Sequence, residues 1–442
     1  MESLKKQYYG QRVLALGLGR FGGQIAAIRY LSQQGAQVLV SDSAAPELLQ
    51  DSQQQLQDCN QVSFQFGPQT PELIDGFDQV LVSPAIRPAH PCLEAARTAG
   101  LAIVTETELF LRACPAPVCV VSGTVGKSTT AAMIHHLLMN NQLRSWLGGN
   151  IGESLLPRLS EIMPTDKIVL ELSSYQLEYL QSFPQAFPVS VLTNWIPHHL
   201  EWHGSPEKYR AAKARLFTGQ SSEHAAILSA ELAAEDWPGN GRRILLDEMN
   251  DSEIPAHWPQ HDRQNARAAL AVLEFWKPDC GSQAKIFDTF QGLPHRLQVI
   301  PNSLQRQILN DSKATSPAAV LAGLQTMNTP FWLVLGGAPS PDQTADLLTA
   351  LNQHPHLKGI AWLGPAGKQN ASRFTATGNQ GRLLQQICTT LQEAWEWCYA
   401  NSDREETILL SPGFPSFDEF VHYVQRGECW IRLIRETEQR NR

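Results

Sequence analysis

Short apolar runs closed by glycine or proline alternate along this chain with stretches of helical periodicity, a pattern that predicts successive α/β units with parallel strands. Arg12-Val-Leu-Ala-Leu-Gly17 is the first such run. A helix-like segment follows to about Gln34, and Ala36-Gln-Val-Leu-Val-Ser-Asp42 supplies a second strand, so the opening reads β-α-β. A third strand over 79–83 stops at Pro84, and a fourth is expected over 101–104. The pattern restarts after Cys114-Pro-Ala-Pro117 with the strand Val118-Cys-Val-Val-Ser122, a glycine-rich turn and a helix from Ser128 to about Met139. Further strands are expected over 167–172 and 189–193, then irregular structure or small strands over 238–260, then a helix over 262–276. A third unit opens near Leu297, with strands over 331–335, 359–363 and 407–410. The expected domains are therefore 1–106, 107–296 and 297–442.

Composition narrows the class. A chain of 442 residues with 43% apolar and 18% charged positions has core enough for two to four folded domains. A net charge of -8 disfavours nucleic acid or an acidic membrane as the main partner, because both demand a basic face. The 8 cysteines are scattered without a C-x-x-C pair, so neither a zinc knuckle nor a dithiol redox centre is indicated. With no long apolar span and a polar start, the expected compartment is the cytoplasm, without stable membrane insertion.

The clearest chemistry is Ser122-Gly-Thr-Val-Gly-Lys-Ser-Thr129, between an expected strand and an expected helix. Glycines let the backbone curl until its N–H groups converge on phosphate oxygens, and the helix N-terminus adds partial positive charge. Lys127 would reach the outer phosphates, and the hydroxyl of Ser128 or Thr129 would offer a hard oxygen to Mg²⁺. Only two residues separate the glycines, where the general pattern has four. Glu171 ends an expected parallel strand on the rim where open sheets bind ligands; it is either a second magnesium ligand or an exposed terminal carboxylate. His198, His199 and His203 form either a ligating group or a surface cluster, and His199 and His203 would share a face if the segment is helical. The order of residues is not that of a zinc protease. At the N-terminus, G-x-G-x-x-G from Gly17 with Asp42 reads alone as a dinucleotide fingerprint, but hydride transfer leaves the second nucleotide loop unexplained.

The ordered series of motifs resembles the Mur ligase family over essentially the whole chain. It runs G-L-G-R-F-G from Gly17, V-S-P-A-I from Val82, S-G-T-V-G-K-S-T from Ser122, G-N-I-G from Gly149 and L-E-L-S-S-Y-Q-L from Leu170. It continues with H-H-L-E-W-H from His198, Y-R-A-A-K from Tyr209, L-P-H-R from Leu293, N-D-S-K-A-T from Asn310, L-G-G from Leu335 and L-S-P-G-F-P-S-F-D-E-F from Leu410. The resemblance implies a three-domain α/β architecture: a Rossmann-like N-terminal domain that binds a UDP-linked substrate, a central P-loop ATPase domain, and a Rossmann-like C-terminal domain that closes to complete the site. It implies an ATP-dependent amide-bond ligase that works through an acyl phosphate. The branch it resembles most adds D-glutamate to UDP-N-acetylmuramoyl-L-alanine in peptidoglycan precursor synthesis.

Carried over residue by residue, Gly123, Thr124, Gly126, Lys127, Ser128 and Thr129 line the ATP phosphates, Asn265 lies on the adenine side, and Arg296 and Asp311 contact phosphate and ribose. Ser128, Glu171, His199 and Lys213 hold two magnesium ions, with Lys213 carbamylated; Lys127, His199 and Lys213 are the catalytic set. Arg20, Phe21, Asp42 and Asn150 meet the UDP-linked substrate, while Lys313, Thr315, Ser416 and Phe417 surround the incoming D-glutamate. A monomer is the family expectation.

Several positions depart from the family pattern: Val125 for asparagine, His198 for aspartate, Ala85 for glycine, and His261-Asp262 for the usual His-Asn pair. Leu335-Gly-Gly-Ala-Pro-Ser-Pro341 lacks the lysine that normally follows the two glycines. That loss motivates a second reading, a related ligase with another acceptor or UDP-linked donor. A nucleotide-binding paralogue without turnover is a third reading, but it would not need Lys127, Glu171, His199 and Lys213 together.

Overall fold

The computed structural model describes residues 8–18, 22–151, 154–197, 199–256, 258–290, 292–339, 344–374 and 383–441. Arg20, Phe21, His198 and the 340–341 end of the lysine-less loop lie outside the described residues. The chain forms two compact units, Met1–Phe290 and Gln291–Arg442.

The first unit holds two sheets. One contains β1 (Arg12–Leu16), β2 (Gln37–Asp42), β3 (Val62–Phe66), β4 (Gln79–Val82) and β5 (Ala102–Val104) in the order β3-β2-β1-β4-β5. Every pairing is parallel, so the chain reverses its direction of winding beside β1, where the glycine turn leaves the sheet. The other contains β6 (Val118–Ser122), β7 (Ser145–Gly149), β8 (Lys167–Glu171), β9 (Val189–Leu192), β10 (Ala225–Leu228) and β11 (Arg242–Leu245), again all parallel, in the order β11-β10-β9-β6-β8-β7. All five residues of β6 are buried, as expected of a strand covered on both faces.

The strands that periodicity did not mark are short or lie at sheet edges. β3 alternates V-S-F-Q-F with every residue at least partly exposed, β10 is an Ala-Ala-Ile-Leu run of low strand propensity, and β11 is half exposed at the edge. Among the described residues, β11 is the one strand within the stretch expected to be irregular or to hold small strands. The helix after the phosphate loop covers Lys127–Asn140, and the later one covers Gln260–Trp276.

Side chains join the two sheets of the first unit. Tyr179 donates to the Ile86 carbonyl at 2.6 Å, Trp202 Nε1 to the Ala85 carbonyl at 3.4 Å, and Gln176 Nε2 to Thr107 at 3.3 Å. Ser154 donates to Glu106 at 2.5 Å, and burial pushes that carboxyl above its ordinary value.

The second unit contains β12 (Gln298–Val299), β13 (Ile308–Asn310), β14 (Phe331–Gly336), β15 (Leu357–Leu363), β16 (Leu384–Cys388) and β17 (Thr407–Gly413), in the order β12-β13-β17-β14-β15-β16. Among the described residues only the β12–β13 pairing is antiparallel. The edge strand β16 exposes four of its five residues, which is why it carries no continuous apolar run.

Close packing at the end of β7 shows how tightly the central sheet is constrained. Gly149 has φ 92°, and a Cβ there would stand 2.2 Å from the Glu171 carbonyl oxygen. Gly149→Ala should therefore destabilise the protein by about 3 kcal/mol, through left-handed strain and overlap with backbone. Urea denaturation checks this; a change within error would mean that β7 and β8 are not held so closely in solution.

Candidate functional site

The ends of β6, β8 and β9 converge on the phosphate loop. Gly126 is the N-cap of the helix Lys127–Asn140, whose first turn bonds Thr130 N to the Gly126 carbonyl. The helix ladder supplies no acceptor for the amides of Lys127, Ser128 and Thr129, which are the donors that a phosphate takes at a helix start. Lys127 Nζ donates to the Thr124 carbonyl at 2.8 Å, folding the ammonium back over the loop. Thr124 Oγ1 meets the Tyr209 hydroxyl at 2.9 Å. Asn265, on the helix Gln260–Trp276, accepts from Thr130 Oγ1 at 3.0 Å, so it packs against the first turn of the phosphate-loop helix.

Lys213 is only 1% exposed and points into this end of the sheet. Its Nζ donates to Ser122 Oγ at 3.1 Å and to the Gly123 carbonyl at 2.7 Å, and lies 5.1 Å from the Tyr209 ring centroid. Burial is the main reason that its pKa falls well below the ordinary lysine value; the charge of Lys127 adds to the effect, and Glu171 opposes it. Glu171 is likewise 1% exposed. Its Oε1 accepts from Asn150 Nδ2 at 3.1 Å, its backbone carbonyl accepts from Asn150 N at 2.7 Å, and its Oε2 has no hydrogen-bond partner among the described residues. A buried carboxylate oxygen without a donor is costly in isolation and suits a cation. Among the described residues no group of three His, Cys, Asp or Glu side chains is arranged to hold a metal, so any ion would need hydroxyl, phosphate or modified-lysine oxygens as well.

The two histidines do not share a helix face. His199 precedes the helix Leu200–His203 as its N-cap, in the left-handed region at φ 53°, and its side chain is 42% exposed. His203 is buried, bonds Ser174 Oγ at 2.9 Å, and is lowered to about 4, first by burial and then by the neighbouring His199 and Lys213. His203 is therefore neutral near pH 7. The ring of Tyr175 lies 5.0 Å from that of His199 and 4.4 Å from that of Trp202.

In the N-terminal sheet, Asp42 ends β2 and accepts from Leu18 N at 2.8 Å and Ala44 N at 2.9 Å, binding the glycine turn to the second strand. In the second unit, Asp311, Lys313 and Thr315 lie on the loop that leaves β13, Ser416 and Phe417 on the loop that leaves β17, and Arg296 just before β12. Lys313 and Thr315 are half-buried, Ser416 is buried, Phe417 is 40% exposed, and Arg296 is exposed. Asp311 accepts from Leu297 N at 3.2 Å and Ser411 Oγ at 2.7 Å, and burial pushes it up to about 6.

Arg426, which sequence reasoning passed over, ties these loops together. It is buried, donating from Nε to Ser312 Oγ at 3.0 Å, from Nη2 to the Ser312 carbonyl at 2.8 Å and from Nη1 to the Phe414 carbonyl at 3.0 Å. An arginine within a polar helix looks like a solvated charge, and no local signal distinguishes it. Thr193, Asn194 and Tyr209 were also assigned no role; their contacts with the loop depend on residues about seventy or more positions away.

Two parallel sheets in one unit, one of them carrying a phosphate loop, with a third α/β sheet in the next unit, define a nucleotide-dependent ligase of the Mur type. The Mur ligase middle domain matches residues 121–243, and the Mur ligase MurD-like N-terminal domain matches residues 11–105. The UDP-N-acetylmuramoylalanine--D-glutamate ligase of Zymomonas mobilis is 32% identical, over 97% of this chain and 98% of its own length. The ligase of the same name from Exiguobacterium sibiricum is 30% identical over 97% of each chain. This chain belongs to the Mur ligase family. Among solved structures, MurC from Thermotoga maritima aligns with TM-score 0.56 at 16% identity, over 97% of this chain and all of its own. MurF from the same organism, in complex with ADP, aligns with TM-score 0.53 at 14% identity, over 90% of this chain and 95% of its own. These two likenesses concern the fold.

Two pH dependences follow from the buried groups. Between the depressed folded pKa of Lys213 and the ordinary 10.5, the native state binds fewer protons than the unfolded chain, so the lysine's contribution to stability rises with pH. In CO₂-free buffer without ligands, Lys213→Met should be the more stable protein at neutral pH, with the gap closing as pH climbs towards 10.5; a gap independent of pH would show the amine to be charged in the fold. Asp311 has the opposite sign. Between 3.8 and about 6 the native state binds more protons, so its contribution is lost as pH rises through that window. Stability of the parent minus that of Asp311→Asn should fall across the same interval in urea titrations, and a rising difference would refute the assignment.

Proposed function

We propose that this chain joins the amino group of D-glutamate to the alanyl carboxylate of UDP-N-acetylmuramoyl-L-alanine, cleaving ATP to ADP and phosphate, in peptidoglycan precursor synthesis. The observation that carries the reading is the convergence of the phosphate loop, a buried Lys213 whose pKa is depressed and a Glu171 oxygen lacking a donor among the described residues, in a chain that matches D-glutamate ligases over nearly its full length. The reaction belongs in the cytoplasm, where ATP is supplied, and a monomer suffices for it.

In the first step the alanyl carboxylate attacks the γ-phosphorus of ATP and ADP departs, leaving an acyl phosphate. The anionic nucleophile and the anionic phosphate repel each other, so the largest contribution is preorganised positive charge. Lys127 supplies it by swinging from the Thr124 carbonyl to the outer phosphates, while the helix amides of Lys127, Ser128 and Thr129 hold the phosphate oxygens. Ser128, Glu171 and His199 would hold Mg²⁺, which when bound neutralises phosphate charge. An uncharged amine adds CO₂ by forming an N–C bond and releasing one proton; Lys213 in its depressed state meets that requirement and would become a further carboxylate for a second ion. In the second step the amine attacks the acyl carbon and phosphate leaves. Lys313, Thr315, Ser416 and Phe417, on the rim of the second unit, receive the amino acid, and Asp42 and Asn150 lie toward the UDP-linked substrate.

The missing lysine after Gly337 favours a second reading, a ligase of the same mechanism with a different acceptor. Phosphate release from ATP with UDP-N-acetylmuramoyl-L-alanine and a panel of D- and L-amino acids separates the two. Stimulation mainly by D-glutamate supports the first reading, preference for another amino acid the second, and no release with any acceptor refutes both. Lys127→Ala should lower kcat about a hundredfold or more while the thermal midpoint is retained; undiminished kcat would remove Lys127 from the chemistry.

A further inference from the structure

We infer that Thr193 and Asn194, just beyond β9, are positioning residues that set the shape of the phosphate loop for ATP; the inference rests on the ligase reading above. The Asn194 side chain grips the loop from both directions: Oδ1 accepts from Thr124 N at 3.1 Å and Val125 N at 3.0 Å, while Nδ2 donates to the Val125 carbonyl at 3.0 Å. The Asn194 backbone carbonyl accepts from Thr124 N at 3.2 Å. Thr193 Oγ1 donates to the same Val125 carbonyl at 2.6 Å. Gly123, at φ 155°, fits against that hydroxyl, since a Cβ there would be 1.9 Å from Thr193 Oγ1.

Together these bonds satisfy both amides and the Val125 carbonyl, fixing the loop immediately before the start of the helix Lys127–Asn140. A loop with only two residues between its glycines has few bonds of its own to hold it, so the adjoining strand end does so. Val125, 58% exposed, contributes backbone here and no side-chain anchor. Truncating the Asn194 side chain leaves the Val125 amide without its acceptor, Thr124 N with only the Asn194 backbone carbonyl and the Val125 carbonyl with only Thr193, so the loop must reorganise before it can receive ATP.

The test compares the full-length parent with Asn194→Ala, Thr193→Val and Thr193→Ser, measuring KM for ATP, KM for the UDP-linked substrate, kcat and the thermal midpoint. Asn194→Ala should raise the KM for ATP about tenfold, with less effect on the KM for the UDP-linked substrate. Thr193→Val should shift the ATP value in the same direction by less, and Thr193→Ser, which keeps the hydroxyl, should restore it. If Asn194→Ala does not fold, the Thr193 pair still decides the matter. Equal KM for ATP in Thr193→Val and Thr193→Ser would overturn the proposal, as would tighter ATP use by Asn194→Ala, which would make Asn194 a latch that ATP must displace. Failure of the parent itself to turn over ATP would instead strike the ligase reading.

Discussion

Lys213 brings an amine into the end of the central sheet, where the loop backbone and one serine hydroxyl take its hydrogens and almost no water reaches it. The surrounding arrangement depends on how that amine is accommodated. An ammonium there would lie near the charge of Lys127 without its hydration shell, so the fold favours the neutral form. Glu171 offers the opposite charge nearby, and the unbonded oxygen of that carboxylate leaves the pair chemically incomplete. A cation beside that oxygen would complete it with an oppositely signed partner.

The same construction recurs on each sheet: parallel strands place backbone ends on a rim, and buried side chains decide which groups face outward. Asp42 draws the first glycine turn onto β2, Asn150 ties the end of β7 to Glu171, and Arg426 joins the loops that leave β13 and β17. These are polar groups spent on shaping the rims. A buried guanidinium is costly to desolvate, and Arg426 offsets the cost with three directed bonds, so both loops are held by a side chain from a distant helix.

Much of the site was legible because its chemistry is local. The glycines, Lys127 and the hydroxyls of the phosphate loop are contiguous, and Glu171 follows an apolar strand that ends where parallel sheets bind ligands. The histidine pair was less legible, since four-residue spacing puts two side chains on one face only within a helix, and His199 stands before the helix in a left-handed turn. Asn265 was likewise readable as a polar residue on a helix, but not as a partner of Thr130, because that contact depends on how two helices pack.

The sequence by itself determined three successive α/β units, the central phosphate loop and membership in a family, since apolar periodicity, glycine placement and motif order are properties of contiguous residues. Tertiary structure alone decided that Lys213 is buried with a depressed pKa, that Glu171 keeps an oxygen without a donor among the described residues, that His203 turns inward while His199 turns outward, and that Asn194 and Arg426 hold loops far from them in the chain. Burial and hydrogen-bond partnership arise from elements brought together by folding, and no stretch of contiguous residues specifies them.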